Sequence, residues 1–523
     1  MANNTPTTFN EWLTRIRQSA VAQYHRVAIV ISGDKDWCLE KAKLMLETIS
    51  FQSVLWISSE LPDALPPKKA RTQLGKEYDA IVFDAHNQLD VDAFGAISGT
   101  LRGGGLLLLL IPQEKDWNVL QSSRFHQRVW PLLQNHAGVM FLQQGQPLPE
   151  IPVTKSQIQN VANVTEPFCT SEQQQVVNAI ESSVLKKQLK PIVLISDRGR
   201  GKSSALGLAA GRLLQQGIKN IIVTAPGLST SDPVFQHAQG ICSNAKIARG
   251  QLITEQGGLI FMAPDALLIE KPHADLLLVD EASAIPLQML EQLLRNYPAI
   301  VFASTVHGYE GTGRGFTLKF SKILDATTPG WQQYKMETPI RWAQHDPVEA
   351  WVDRLLCMDT EMQTVPAFEV INTNQCKVQL INRDELVKND SMLSSLFALL
   401  VNAHYRTQPS DLQHLLDDPD VRVYILSYQH CILGAILINE EGGFDEVLSS
   451  SIYRGERRPA GNLLAQTLTF HAGCEKAATL RYARVMRIAV HPELQGKGLG
   501  SRLLHDVMVQ ERQYVAAIGT SFG

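Results

Sequence analysis

The chain has 523 residues, of which 44% are hydrophobic, and a formal net charge of −4. This length is too great for one hydrophobic core and predicts about three or four domains, while the net charge gives no overall sign of nucleic-acid binding. The seven cysteines are scattered without a C-x-x-C pair, which argues against zinc sites and disulfide frameworks and favours a reducing compartment.

The first region, residues 1–155, is predicted to be a small parallel α/β domain. It begins with a polar segment that lacks a signal-peptide pattern, and its longest apolar run, 106–112, is too short to cross a membrane, so we expect a cytoplasmic protein. Predicted strands at 27–31, 54–57, 80–83 and 106–111 alternate with predicted helices at 37–49 and 91–98. The triplet Gly103-Gly104-Gly105 is predicted to be a reversal from helix to strand, and the stretch 143–165, with three prolines, a linker.

The second region, residues 166–350, contains a nucleotide-binding signature. An apolar run at 191–195 is followed by Ser-Asp-Arg-Gly-Arg-Gly-Lys-Ser and by a predicted helix at 203–215. A strand, a glycine loop and a helix in this order place backbone amides around phosphate oxygens. Lys202 is predicted to reach the β- and γ-phosphates and Ser203 to hold Mg²⁺. The usual pattern has glycine where this chain has Ser196.

A second motif, which is acidic, follows about 80 residues after the glycine loop. The buried-strand pattern at 276–279 ends in Asp280 and Glu281. In P-loop ATPases such a pair supplies a Mg²⁺ ligand and a carboxylate that polarises the attacking water. We therefore expect Asp280 to bind Mg²⁺, Glu281 to act as the hydrolytic base, and the chain to bind and hydrolyse ATP.

Three further residues are candidates for nucleotide contacts. Gln173 opens a predicted helix before the loop, where helicase-like ATPases commonly read the adenine edge; a solvated helix start is the alternative. Thr305 ends a predicted strand, 300–304, and is a candidate sensor of the γ-phosphate, followed by a glycine-rich loop suited to coupling. Arg341 is a candidate for neutralising the triphosphate charge, although an isolated arginine is more often a solvated surface charge.

The third region, residues 366–523, contains a glycine loop of another design. A predicted strand at 485–490 leads into Val-His-Pro-Glu-Leu-Gln-Gly-Lys-Gly-Leu-Gly and a predicted helix at 501–510. This sequence resembles the acetyl-coenzyme A loop of the GCN5-related N-acetyltransferases, V-x-P-x-x-Q-G-x-G-x-G. The loop amides are expected to hold the coenzyme pyrophosphate, and the strand amides to pair with the pantetheine arm and polarise the thioester carbonyl. The loop residues are Gln495, Gly496, Lys497, Gly498, Leu499, Gly500 and Ser501, and the strand residues Ile488, Ala489 and Val490. A strand-to-helix turn without a ligand is the alternative.

The local charge around this loop is positive. Residues 452–502 contain nine lysines and arginines against three glutamates, which predicts attraction of RNA or coenzyme phosphates. A basic face that serves coenzyme A alone is the other interpretation.

The order of these motifs resembles that of the bacterial tRNA(Met) cytidine acetyltransferases over essentially the whole chain. The matching segments are R-G-R-G-K-S at 198–203, V-D-E-A-x-A-I-P at 279–286, G-Y-E-G-T-G-R-G-F at 308–316, P-I-R-W at 339–342, H-Y-R-T at 404–407, R-R-P-x-G-N-L at 457–463, and 487–492. The resemblance implies an N-terminal α/β domain, a RecA-like P-loop ATPase domain and an α+β acetyltransferase domain.

The resemblance also implies the reaction and its partners. The expected activity is N4-acetylation of the wobble cytidine of elongator tRNA(Met), with acetyl-coenzyme A and ATP or GTP. The implied ATP contacts are Gln173, Gly199, Arg200, Gly201, Lys202, Ser203, Ser204, Ala205, Leu206, Gly207, Leu208 and Arg341. Acetyl-coenzyme A contacts are implied at the strand and loop residues named above.

Several expectations stay open at this level. His491 is one candidate base for acetyl transfer, although a histidine after a strand is more often structural. An RNA helicase or translocase with a non-catalytic acetyl-coenzyme A domain, and a protein lysine acetyltransferase, are the other functional interpretations. Because the fold of this family continues beyond the predicted strand at 514–517, we expect a truncated chain that hydrolyses ATP slowly, binds acetyl-coenzyme A weakly and acetylates tRNA poorly or not at all.

Overall fold

The computed structural model describes residues 8–117, 122–151, 166–305, 313–360, 362–403 and 408–520, with only the backbone at 313–318. The chain divides into two compact units, residues 1–117 with 131–358 and residues 118–130 with 359–523. Most of the predicted linker, the glycine-rich stretch at 306–312 and the H-Y-R-T motif at 404–407 lie outside the described residues.

The N-terminal part of the first unit is a five-stranded sheet in the order β2-β3-β4-β1-β5, with all neighbouring strands parallel. The predicted parallel α/β architecture is therefore confirmed. The strands are β1 (Val27–Ser32), β2 (Val54–Ile57), β3 (Tyr78–Asp84), β4 (Leu101–Ile111) and β5 (Val139–Gln143). The helices are α1 (Phe9–Gln23), α2 (Lys35–Thr48) and α3 (Val91–Ser98), together with α4 (Arg124–Asn135), of which residues 124–130 belong to the second unit.

The prediction of a turn at the glycine triplet is wrong, because β4 includes all three glycines. Gly104 has φ +75°, and the pairing of β3 with β4 changes register beside it. Gly103 N donates to Arg341 O (2.6 Å), and a Cβ at Gly103 would lie 2.7 Å from the Tyr24 ring. The glycines thus allow two distant segments to approach the strand closely.

The second sheet of the first unit has the order β13-β6-β12-β11-β7-β10-β9-β8, parallel as far as β10 and antiparallel for β9 and β8. Alternate residues of the central strands enter different cores, since Ile192 and Leu194 pack on one face and Val193 and Ile195 on the other. The strands are β6 (Ile192–Ser196), β7 (Asn220–Thr224), β8 (Lys246–Ala248), β9 (Gln251–Ile253), β10 (Gly258–Phe261), β11 (Leu276–Val279), β12 (Ile300–Thr305) and β13 (Gln332–Met336). The helices are α5 (Ser171–Leu185), α6 (Lys202–Gln215), α7 (Asp232–Ile241), α8 (Pro264–Glu270), α9 (Leu287–Asn296), α10 (Gly313–Thr327) and α11 (Pro347–Leu355).

The second unit has a five-stranded sheet in the order β14-β15-β16-β17-β18, antiparallel except for the parallel pair β17–β18. The strands are β14 (Lys377–Leu380), β15 (Val421–Tyr428), β16 (Cys431–Gly442), β17 (Arg481–Val490) and β18 (Ala517–Gly519). The helices are α12 (Arg383–Leu386), α13 (Asp390–Ala403), α14 (Pro409–Asp417), α15 (Glu446–Tyr453), α16 (Leu463–Gln466) and α17 (Leu499–Glu511). The sequence predicted a last strand near residues 514–517. In the structure this strand, β18, begins at Ala517. Within the described ranges, every helix is too short or too polar to cross a lipid bilayer.

Candidate nucleotide and acetyl-coenzyme A sites

Three adjacent parallel strands bring the predicted ATPase residues together at the carboxyl ends of the strands of the second sheet. β12 pairs with β6 on one side and with β11 on the other. Because the carboxyl ends of these strands lie side by side, the glycine loop after β6, Thr305 at the end of β12 and Asp280 after β11 share that end of the sheet. The strand order therefore assembles residues that are far apart in sequence.

The loop after β6 has the backbone shape that phosphate binding requires. Gly199 and Gly201 have φ +76° and +83°, which glycine adopts without strain, and α6 begins at Lys202. Lys202 is only 6% exposed, and its Nζ donates to Ser196 Oγ (3.2 Å) and Asp197 O (3.3 Å). Burial lowers the pKa of Lys202, while Glu281 and Asp280 oppose that change. The serine that departs from the usual loop pattern thus holds the lysine.

Asp280 has the properties of a cation ligand. It is fully buried; its Oδ1 accepts from Glu281 N (3.0 Å), and its Oδ2 has no hydrogen-bond partner among the described residues. Burial, followed by the Glu281 carboxylate, raises the pKa of Asp280, and the nearby Ser203 hydroxyl opposes the rise. A buried carboxylate oxygen without a donor, beside a hydroxyl, fits the oxygen ligands that Mg²⁺ prefers.

Glu281 is held by the residue predicted to sense the γ-phosphate. Thr305 Oγ1 donates to the Glu281 carboxylate, at 3.2 Å from Oε1 and 3.1 Å from Oε2. Glu281 has φ +46°, a left-handed conformation that is uncommon outside glycine and concentrated at functional sites. The Thr305 hydroxyl therefore orients the Glu281 carboxylate in this structure.

The remaining nucleotide candidates have protein partners of their own. Gln173 is fully buried; its Oε1 accepts from Cys169 N (2.8 Å) and its Nε2 donates to Ser204 Oγ (3.1 Å). The solvated helix start considered above is therefore wrong. Ala205, Leu206, Gly207 and Leu208 lie in the first turns of α6 and are buried.

Arg341 lies against the N-terminal sheet. Its Nη1 donates to Gly99 O (3.0 Å) and its Nε pairs with Glu77 Oε1 (3.1 Å). Burial lowers the pKa of Arg341, Glu77 opposes this, and Arg198 of the loop lowers it further. Its neighbour Ile340 donates from N to Gly199 O (3.1 Å). The arginine is thus buried close to the glycine loop while its hydrogen bonds reach the N-terminal sheet.

A charged network beside the glycine loop was not predicted from the sequence. Arg26 lies 3.4 Å above the Trp342 ring, and its Nε donates to Asp346 Oδ1 (3.0 Å). Trp342 Nε1 donates to Glu349 Oε2 (3.3 Å), and Glu349 Oε1 pairs with Arg200 Nη2 (2.8 Å). These five residues, the Arg26 network, connect the N-terminal sheet to the loop. The one local signal was Asp346-Pro347, typical of a helix start.

In the second unit, β17 ends at Val490, immediately before the predicted acetyl-coenzyme A loop. β18 pairs with β17 at Tyr482 to Arg484, and within the described residues, which end at residue 520, no strand lies beside Ile488 to Val490 on that side. Gly496 and Gly498 have φ +74° and +80°, and α17 starts at Leu499. Gln495 Nε2 donates to Val490 O (3.1 Å). An open strand edge ending in a glycine loop at a helix N-terminus fits an extended arm with a pyrophosphate.

His491 lies beneath this loop. It is 6% exposed, its N donates to Leu433 O (2.9 Å), and its Nδ1 has no hydrogen-bond partner among the described residues. Burial lowers the pKa of His491, so the neutral imidazole is favoured at neutral pH.

Most of the predicted basic patch is neutralised. Six of its nine cations pair with carboxylates, several of which lie outside residues 452–502. Arg484 pairs with Glu441, for example, and Arg487 with Asp411 (2.7 Å). The sequence count therefore overstated the free positive charge.

Comparison with known proteins identifies all three regions. Residues 1–144 match the family model of the tRNA(Met) cytidine acetyltransferase N-terminal domain, 193–359 the helicase domain of RNA cytidine acetyltransferases, and 395–518 a GNAT acetyltransferase domain. Relatives named tRNA(Met) cytidine acetyltransferase include proteins of Nitrosococcus halophilus, 43% identical, and Vibrio cholerae, 35% identical. The alignments cover 97% and 98% of this chain and 71% and 70% of those proteins.

Proposed function

Because the chain belongs to the tRNA(Met) cytidine acetyltransferase family, we propose that it transfers the acetyl group of acetyl-coenzyme A to N4 of the wobble cytidine of elongator tRNA(Met), in the cytoplasm and with ATP or GTP hydrolysis. The observation that carries the proposal is that β17 leads through the left-handed glycines Gly496 and Gly498 into the N-terminus of α17. The nucleotide site, at the carboxyl ends of β6, β12 and β11, would bind the ATP or GTP that is hydrolysed.

The acetyltransferase unit acts by positioning. The exocyclic amine of cytosine is a poor nucleophile because its lone pair is delocalised, so orientation and carbonyl polarisation must supply much of the rate. The open β17 edge at Ile488–Val490 would pair with the pantetheine arm, and the loop amides from Gln495 to Ser501 would hold the pyrophosphate. Bound acetyl-coenzyme A supplies the activated acyl group.

In the ATPase unit, each predicted residue has a defined task. Lys202 would contact the β- and γ-phosphates, and Ser203 with Asp280 would hold Mg²⁺. Glu281, oriented by the Thr305 hydroxyl, would polarise the attacking water. Gln173 would read the adenine edge in exchange for one of its two protein hydrogen bonds, and Arg341 would approach the triphosphate after leaving Glu77.

His491 stays a proposal for the base of acetyl transfer. Its burial and its lowered pKa favour a neutral ring, which is the form that accepts a proton. The same burial suits the structural role weighed above. Changing His491 to Gln separates the two, because a structural role predicts lost acetyl-coenzyme A binding and a base predicts lost turnover with binding retained.

The decisive experiment follows the acetyl label. The chain is incubated with radiolabelled acetyl-coenzyme A, ATP, Mg²⁺ and either tRNA(Met) or mixed protein, and nucleosides are analysed by mass spectrometry. We expect N4-acetylcytidine in the tRNA. Label only on protein would support a lysine acetyltransferase, and RNA-stimulated ATP hydrolysis without any label would support a helicase or translocase.

A further inference from the structure

The two central strands of the acetyltransferase sheet are joined by an unusually long connection. β16 and β17 are antiparallel neighbours, which a hairpin of about two to five residues can join. Here residues 443–480 intervene and form a small core of their own, around Ile452, Ala465 and Ala478. A long ordered insertion of this kind is commonly functional.

This connection exposes aromatic side chains. Phe470 is 39% exposed and Tyr453 is 42% exposed, and His471 beside Phe470 is also exposed. Phe470 and His471 end a π-helical turn, Thr467–His471, a conformation that is rare and frequent at functional sites. Their rings lie 4.9 Å apart at an angle of 79°.

The Phe470 ring is held in place although it faces solvent. A Cβ at Gly455, which has φ +75°, would lie 2.9 Å from the ring, so this backbone packs closely against it. Arg458 Cζ lies 5.6 Å from the ring centroid, within the range of a cation–π contact. An ordered, exposed ring beside a guanidinium is a ready surface for another planar group.

Free positive charge lies beside the Phe470 ring, at Arg458, and next to it in sequence, at Arg457. The acids of the connection are engaged, since Glu456 pairs with Arg454 and Glu446 with Lys476. Arg457 and Arg458, both exposed, have no carboxylate partner within the described residues. Two uncompensated guanidinium groups next to exposed rings match the chemistry of a base followed by its phosphate.

The connection also packs against β16 and β18. Leu464 N donates to Glu441 Oε2 (2.7 Å) on β16, and a Cβ at Gly519 of β18 would lie 2.8 Å from the Leu464 side chain. Gln466 Nε2 donates to Pro459 O (2.6 Å), which braces the loop that contains Arg457 and Arg458. The segment that contains the exposed rings is therefore packed against β16 and β18, which are the neighbours of β17 in the sheet.

From these observations we propose that one exposed surface of the connection, the Phe470 face, binds unpaired nucleotides of an RNA loop. The Phe470 face consists of Tyr453, Arg457, Arg458, Phe470 and His471. Phe470 and Tyr453 stack on bases, and Arg457 and Arg458 contact the adjoining phosphates. This inference rests on the proposed function for the identity of the RNA, and it adds the surface that selects a single-stranded loop over a paired stem.

Binding of two fluorescent RNAs tests the proposal, one a hairpin with the anticodon-arm loop of tRNA(Met) and the other a fully paired duplex of equal length. Phe470→Ala should weaken loop binding by about tenfold or more, as expected for loss of one stacked base, and Phe470→Trp should retain it. Arg457→Gln and Arg458→Gln should each reduce the slope of log affinity against log salt by about 0.7. Duplex binding should change less in every variant.

Matched controls lie elsewhere in the same unit. Tyr514→Ala removes an aromatic ring that is 62% exposed, and Arg512→Gln removes an exposed cation, and neither should alter loop binding. Melting temperatures and acetyl-coenzyme A binding of all variants check the fold. Equal loop affinity for Phe470→Ala and the wild-type chain, or no preference of the wild-type chain for loop over duplex, would overturn the inference.

These readouts separate the inference from the proposed function. Loop binding that depends on Phe470, in a chain that labels only protein, would retain the Phe470 face and reject cytidine acetylation. Formation of N4-acetylcytidine by a Phe470→Ala chain that also binds the loop normally would do the reverse.

Discussion

The two glycine loops of this chain follow the same plan of strand, loop and helix, but their surroundings differ. A Cβ at Gly199 would lie 3.0 Å from Trp342 and one at Gly201 3.1 Å from Ile340, whereas no atom of the described residues lies within 4 Å of a Cβ at Gly496 or Gly498. The nucleotide loop is thus packed from behind by protein, while the acetyl-coenzyme A loop faces open space. The first is shaped by the fold around it, and the second depends on its own backbone conformation.

The largest expected effect comes from breaking the support behind the nucleotide loop. Arg26 and Asp346 form a buried pair, 2% and 1% exposed, so Arg26→Ala leaves an unpaired buried carboxylate and should destabilise the first unit by about 3–5 kcal/mol. Thermal unfolding with and without ATP measures the loss.

The double variant Arg26→Met with Asp346→Leu is the matched control. It removes both charges together and should recover part of the stability, although Asp346→Leu also removes the N-cap acceptor of α11. Equal destabilisation by the single and double variants would mean that the ion pair itself does not support the loop.

Lys202→Ala should abolish most nucleotide hydrolysis, by about 100-fold or more, because the buried ammonium is predicted to contact the β- and γ-phosphates. Acetyl-coenzyme A binding, measured by calorimetry, should stay nearly unchanged because the two loops belong to different units. The exposed Lys219→Ala serves as the control. If Lys202→Ala also removed coenzyme binding, the assignment of two separate sites would be wrong.

Alanine at equivalent glycines compares the two loops directly. Gly201→Ala and Gly498→Ala both force a side chain into a left-handed conformation, at about 1–2 kcal/mol each. Gly201→Ala adds a crowded contact with Ile340 and Gln173, so it should lower the melting temperature more than Gly498→Ala does.

Gly498→Glu completes that comparison. It should leave the fold stable yet abolish acetyl-coenzyme A binding, because a bulky carboxylate would meet the pyrophosphate. Normal coenzyme binding by this variant would remove Gly498 from the proposed site.

Local signals account for what the sequence could predict. The loop at Gly199–Ser203, the pair Asp280-Glu281 and the loop at Gln495–Ser501 each follow a strand within a few residues, so spacing alone located them. The contact of Thr305 with Glu281 required the strand order. The partners of Arg26 and Arg341 could not be found, because Arg26 and Asp346 are 320 residues apart. The same distance effect concealed the neutralisation of Arg484 by Glu441.

The smallest expected effect concerns pH and His491, the buried histidine that precedes the acetyl-coenzyme A loop. Burial holds the pKa of His491 below the ordinary value near 6.5, so its ring is neutral in the folded chain and becomes protonated more readily after unfolding. Its contribution to stability is therefore complete above about pH 6.5 and is lost as the pH falls towards the lower folded value. Stability of the second unit and acetyl-coenzyme A affinity should decline together over that range.

Replacing His491 with Gln should flatten this part of the pH profile, because glutamine does not titrate. The nucleotide site cannot serve as the pH-independent control, because burial raises the pKa of Asp280, the predicted Mg²⁺ ligand, and ATP binding should have an acid dependence of its own. An unchanged acid profile in His491→Gln would show that other groups govern the acid sensitivity of the acetyl-coenzyme A loop.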